Sequence, residues 1–263
     1  MNKQVLPVFL SLTIFSICGV LTFGLLHILN SLDIVTIKIP LAFIWTQFFL
    51  GIFIYLKTSV DYALFVGGLM EKNPGIPNRI AMNVGTQVGC FLGVTAIVIL
   101  WVFFKEIHWL MAILLIVAGN ILIGLGDGSQ EHFETLPTVF RKPLEVFFKL
   151  ARPIVKLFTF FMPHSEMKPI SMSTKALFFV SGIIPFALGA DDLAGYMVLM
   201  APINIFSLLL GIYFGDAIID IALFSNPKIT VRIVKNKWVS YFGALFFIGL
   251  GILSIIHAFE LYF

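Results

Sequence analysis

Charge is what this sequence has least of. Asp, Glu, Lys and Arg make up 12% of the 263 residues, and the mean hydropathy is +1.02. Such a chain cannot wrap one ordinary core in a charged, water-facing surface, which excludes a typical soluble domain. Cysteine is nearly absent too. Cys18 and Cys90 form no CxxC pair and read as free thiols in helices, so they argue for neither a disulfide framework nor a redox relay. The five histidines, His27, His108, His132, His164 and His257, fall near the ends of apolar runs or in the long polar segment, and read as interfacial residues rather than ligands. The sequence has no His/Glu metalloprotease helix, no Ser/His/Asp constellation and no Walker motif, so nothing in it marks an enzyme.

What is present is apolar sequence in long runs. A crossing helix needs about 20 mainly apolar residues, and seven windows qualify: 5–29, 41–70, 82–104, 108–126, 174–200, 202–224 and 238–258. The expected fold is an all-α integral membrane protein of about seven transmembrane helices, forming a single domain over 1–263 with the lipid bilayer as its solvent. The first window is longer than a removable signal peptide and lacks its cleavage pattern, so it reads as a retained helix. With the N-terminus in the cytoplasm, fourteen of the seventeen basic residues lie inside, Lys38 and Lys105 lie outside, and Lys57 is left within a span. That bias predicts a multi-pass protein of the cell (inner or plasma) membrane with its C-terminus outside. The net charge of +3 is then a topological signature rather than a nucleic-acid site. Segment 128–172 carries basic and apolar residues at helical spacing over 142–161, which fits either a cytoplasmic amphipathic helix on the membrane surface or a linker packed on the bundle.

Five carboxylates sit inside these runs: Asp61, Asp191, Asp192, Asp216 and Asp220. A carboxylate at a bilayer centre costs roughly 2.5–3.5 kcal/mol on insertion scales, so such groups face a bundle interior, a partner or a substrate path. Setting residue n beside n+130 aligns Asp61 with Asp191, Leu69-Met70 with Leu199-Met200, Gly85 with Gly215 and Lys105 with Lys235. Three spans separate corresponding points. The halves 41–127 and 171–257 then cross in opposite senses, as two inverted three-helix repeats, with 5–29 as an extra N-terminal helix.

The run 41–70 is too long for a straight crossing, so a tilt or a break is expected. Thr58 and Ser59, Gly67 and Gly68, and in the second half Pro185 and Gly189 are the candidate interruptions. Carbonyls freed there, beside Asp61, Asp191 and Asp192, would build a metal site of hard oxygens suited to Mn²⁺, Ca²⁺ or Mg²⁺, with Met70, Met197 or Met200 as soft supplements for Cd²⁺. Lys57, one turn before Asp61, is either a counter-charge linking metal entry to proton movement or a structural pair. Ser59, Asn83, Gln87, Asp216 and Asp220 complete the candidate ion pathway. Asp216 and Asp220 serve there as an inner relay or meet the basic residues Lys228 and Arg232. Asn83, Gln87, Asn120 and Asn204 could complete an oxygen shell or join helices by hydrogen bonds.

The stretches Ser59-Val60-Asp61-Tyr62-Ala63-Leu64 and Gly189-Ala190-Asp191-Asp192-Leu193-Ala194-Gly195-Tyr196 resemble the paired Asp-Asn segments of the lysine-exporter (LysE) superfamily, nearest its tellurium-resistance TerC and cadmium-resistance CadD branches. Tyr62 and Asp192 stand where that pattern has Asn. The resemblance covers about 41–257 and implies three-helix inverted repeats and divalent-cation efflux. The expected function is export of a divalent cation by a secondary transporter, with no tightly bound cofactor. Proton coupling and a homodimer are both compatible with it. The alternatives are a cationic amino-acid exporter and a non-transporting membrane enzyme or assembly factor, and tight metal binding or turnover without transport would discriminate them.

Overall fold

The computed structural model describes residues 5–32, 38–104, 171–188 and 204–234, with single helical positions at Gly249, Ile252, Ile256 and Phe259. Every regular element among the described residues is an α-helix: α1 (Val5–Ser31), α2 (Trp45–Thr58), α3 (Val60–Lys72), α4 (Ile76–Phe104), α5 (Thr174–Leu188), α6 (Ile205–Ser225) and α7 (Pro227–Val234). Three stretches, Val5–Ser31, Ile76–Val102 and Ile205–Ser225, are long and apolar enough to cross a membrane. Trp45–Leu56 and Thr174–Ile184 are shorter apolar helices.

The burial pattern fits a lipid solvent. On α1 the residues turned inward are Pro7, Ser11, Cys18, Thr22 and Leu26, whereas Phe9, Val20 and Ile28 are 64, 72 and 59% exposed. A helix in water would do the reverse. In a bilayer, large apolar side chains lose nothing by facing outward, and hydroxyls gain by finding interhelical partners. Ser11 accordingly meets Asn83 on α4, and the Thr22 hydroxyl donates to the Tyr213 hydroxyl on α6 at 3.2 Å.

The run 41–70 is interrupted rather than only tilted, and the interruption falls at Ser59, one of the expected positions. Its backbone (φ −78°, ψ 15°) leaves the helical region for one residue between α2 and α3. Hydrogen bonds from Ser59 N to Tyr55 O (2.9 Å) and from Ala63 N to Ser59 O (2.8 Å) carry the chain across. The expectation of breaks at Gly67, Gly68 and Pro185 is corrected: the first two lie inside α3 and the third inside α5. Gly67 is instead a seat for α7, since a Cβ there would stand 2.6 Å from Val231 Cγ2. Gly189 lies outside the described residues.

Two helix pairs dominate the packing, α2 with α6 and α4 with α5. Both are close enough for backbones to touch, which small residues permit and a lipid solvent favours. The carbonyls of Phe48 and Ile52 on α2 face Gly211 and Gly215 on α6, and those of Phe178 and Gly182 on α5 face Gly85 and Gly89 on α4. Numbering rises together in each pair, so each is parallel. Across α4 and α6 it runs in opposition, with Thr86 facing Asp220 and Cys90 facing Asp216. It follows that α2 and α5 run in opposite senses.

Hydrogen bonds fix which ends lie together. Met172 N donates to Asn73 Oδ1 (3.1 Å), Thr174 Oγ1 to Asn78 Oδ1 (2.6 Å) and Arg79 Nη1 to Phe224 O (2.7 Å). The end of α3, the starts of α4 and α5, and the end of α6 therefore share one end of the bundle. At the other end Asn204 caps α6 through Ser207 N (3.1 Å) and donates to Ala42 O (2.7 Å), and Ile44 N donates to Ser207 Oγ (2.8 Å).

Candidate functional site

Helix α6 is apolar apart from a few positions, and Asp216 and Asp220, one turn apart, share a face. That face points inward: the two residues are 1% and 0% exposed. The chain that passes it is the broken pair α2 and α3. Tyr55 and Tyr62, seven residues apart on either side of Ser59, both reach α6. The Tyr55 hydroxyl donates to Asp216 Oδ1. The Tyr62 hydroxyl donates to Asp220 Oδ1 at 2.5 Å. The other oxygen of Asp220 accepts from Thr86 Oγ1 on α4 at 2.7 Å. The Gln87 amide lies in reach of Asp220, and the Cys90 thiol in reach of Asp216. These named donors are all neutral. An acidic pair in an apolar bundle is thus hydrogen-bonded by hydroxyl groups from three helices, which satisfies polar atoms that burial would otherwise leave unpaired.

Polar groups continue on both sides of the pair. Toward the end that holds Asn73, Gln87 Nε2 donates to Asn83 Oδ1 (3.1 Å) and Ser11 Oγ (3.2 Å), and Asn83 Nδ2 donates to Ser11 Oγ (3.1 Å). Toward the other end stand Tyr213 and Thr22, then Ser207, Asn204 and Gln47, whose Oε1 accepts from Asn204 N at 3.0 Å. These polar side chains form a column along the bundle, with the carboxylates near its middle.

Of the residues singled out from sequence, Asn83, Gln87, Asp216 and Asp220 come together in this column. Asp216 and Asp220 do not meet Lys228 and Arg232: those two are exposed on α7, while the carboxylates turn into the bundle toward Tyr55, Tyr62 and Thr86. Ser59 is buried at the break itself, 3% exposed. Asp61 opens α3 next to Tyr62, and Lys57 lies in the last turn of α2; the side chains of both lie outside the described set. Asp191, Asp192, Asn120, Met197 and Met200 also lie outside the described residues. Met70 is buried in the apolar core, and Asn204 serves as a cap and interhelical tie. Among the described residues no group of three His, Cys, Asp or Glu side chains is placed to hold a metal ion.

Tyr55, Thr86, Cys90, Ser11 and Tyr213 were not legible as site residues. The spacing of Tyr55 and Tyr62, two helical turns within an apolar run, was the one signal that could have drawn attention to the phenols. No protein-family model, curated protein or solved structure matches the chain.

Proposed function

We propose that the chain is a secondary transporter in a cell membrane that exports a divalent cation of the Mn, Ca, Mg or Cd class through the bundle core. The observation that carries this reading is the Asp216–Asp220 pair, fully buried in an apolar helix and held by neutral donors on both sides of a helix break. Intramembrane carboxylates of this kind mark ion pathways. The surrounding oxygens, from carboxylates, phenols, a threonine and amides, suit hard cations. Asp61, adjacent in sequence to Tyr62, is the nearest carboxylate in sequence to complete the site; the resemblance of 59–64 and 189–196 to the lysine-exporter superfamily adds Asp191 and Asp192.

An inverted repeat belongs to the same proposal. Support comes from the two parallel crossings. Phe48 and Ile52 are offset by 130 from Phe178 and Gly182, and the four carbonyls take the same role against glycines of the neighbouring helix. The glycines they face, Gly85 with Gly211 and Gly89 with Gly215, are offset by 126, so the second helices of the repeat correspond about one turn away from the ungapped alignment. Orientation follows from charge: Lys72, Arg79, Lys175, Lys228 and Arg232 cluster at the end holding the α3–α4 turn, and Lys38 lies at the other. The basic end is cytoplasmic under the positive-inside rule.

Flux measured metal by metal in proteoliposomes tests this reading. One or more divalent cations should cross saturably with wild-type protein and not with Asp216→Asn. Equal flux in the variant, or no flux of any cation with folded wild-type protein, would refute it.

A further inference from the structure

Helix α7 begins one residue after α6 ends, with Asn226 as its cap: Asn226 Oδ1 accepts from Ile229 N at 3.2 Å, and Asn226 O from Thr230 N at 3.1 Å. Six of its residues, 228–233, sort into three stripes. Thr230 (8% exposed) and Val231 face the bundle, and Val231 packs on Gly67 of α3. Ile229 and Ile233, four apart, are 52 and 59% exposed. Lys228 and Arg232, also four apart, are exposed beside them. Apolar side chains this open on a helix that already has a packed face are explained by hydrocarbon, and the helix sits where a membrane-spanning helix has just ended. The neighbouring helix ends add further basic charge: Lys72 and Lys175 are exposed at the same end of the bundle, against the single described acidic residue there, Glu71.

We infer that α7 is a docking surface for an anionic phospholipid, whose phosphate is held by Lys228 and Arg232 while its acyl chains cover Ile229 and Ile233. Charge complementarity selects the headgroup: a basic residue near a membrane surface favours an anionic lipid by about 1 kcal/mol, or roughly fivefold. The exposed isoleucines select a lipid over a free anion, because only a lipid brings hydrocarbon to the same place. The inference rests on the membrane setting and not on transport, so the two can fail separately.

Purified protein in neutral detergent, titrated with phosphatidylglycerol or phosphatidylcholine and read by native mass spectrometry, tests it. Wild-type protein should retain phosphatidylglycerol preferentially. Lys228→Gln and Arg232→Gln should each lower that preference about fivefold and the double variant roughly 30-fold, while Lys38→Gln leaves it unchanged. Soluble glycerol phosphate should not compete at the same concentration. No preference in wild type, an unchanged preference in the double variant, or full competition by glycerol phosphate would overturn the inference.

Discussion

Replacing Asp220 separates its electrostatic role from its structural one. Asp220→Asn keeps an oxygen for the Tyr62 hydroxyl, which now donates to Oδ1 at 2.5 Å. The new amide NH₂ faces Thr86, whose oxygen can accept from it because its own proton has alternative acceptors in Met82 O (3.0 Å) and Asn83 O (2.8 Å). The network therefore stays satisfied, and stability should change by no more than about 1 kcal/mol. Asp220→Leu removes both acceptors and leaves the buried Tyr62 hydroxyl without its partner, at a cost of about 1–3 kcal/mol before any packing change. At about 2–4 °C per kcal/mol for a chain of this size, only the leucine variant should melt clearly lower in detergent. Cation handling should separate differently. Losing one member of a buried charge interaction costs about 2–5 kcal/mol, so both variants should lose roughly 30-fold or more in apparent cation affinity, measured by isothermal titration and proteoliposome flux. Wild-type affinity in a folded Asp220→Asn protein would refute the assignment of Asp220 to the ion site. Unfolding of that variant would refute the account of its hydrogen bonds.

The helix crossings and the topology give two further tests. Gly211→Ala places a methyl group against the Phe48 carbonyl and 3.0 Å from the Gly51 Cα, both backbone atoms, and should destabilise the protein by about 1–3 kcal/mol. Gly24→Ala, where nothing lies within 4 Å, should be neutral or stabilising by up to about 1 kcal/mol; thermal melts of the two variants in parallel check the contrast. Single cysteines at Lys72 and Lys228 should react with a membrane-impermeant maleimide from the cytoplasmic side and one at Lys38 from the opposite side. The buried Cys18 and Cys90 should stay unlabelled, and reaction of all three positions from one side would refute the orientation.

The positions of the long helices were legible because hydropathy alone defines them. The windows 5–29 and 202–224 lie within three residues of α1 and α6 at each end. The window 82–104 misses the first turns of α4 because Pro77, Asn78 and Arg79 are polar or helix-starting residues that hydropathy discounts, yet Asn78 and Arg79 form the tie to α5 and α6. The need for a tilt or a break within 41–70 followed from its length, and Thr58 and Ser59, where the break falls, were among the candidate positions. Glycine content drew attention to Gly67 and Gly68, whereas α3 uses Gly67 for the approach of α7, a requirement invisible until the two helices are side by side. In the same way, the one-turn spacing of Asp216 and Asp220 was readable, but their partners were not. Tyr55 and Tyr62 lie 161 and 158 residues from the carboxylates they serve, and only the parallel packing of α2 on α6 brings them together.

The glycine crossings also determine where this molecule is stiff. In the α2–α6 and α4–α5 pairs, main chain rests on main chain without intervening side chains, so neither pair can flex or separate without opening a void that lipid tails are too bulky to fill. Each pair is mechanically a single strut. The boundary between the struts is built differently: beside the Phe91–Tyr213 ring contact it carries hydroxyl, amide and carboxylate groups such as Thr86 and Asp220, whose bonds water can replace. Hydrogen-bond partners can be exchanged at this boundary in a way that main chain resting on main chain does not allow, and it is the boundary that carries the acidic pair.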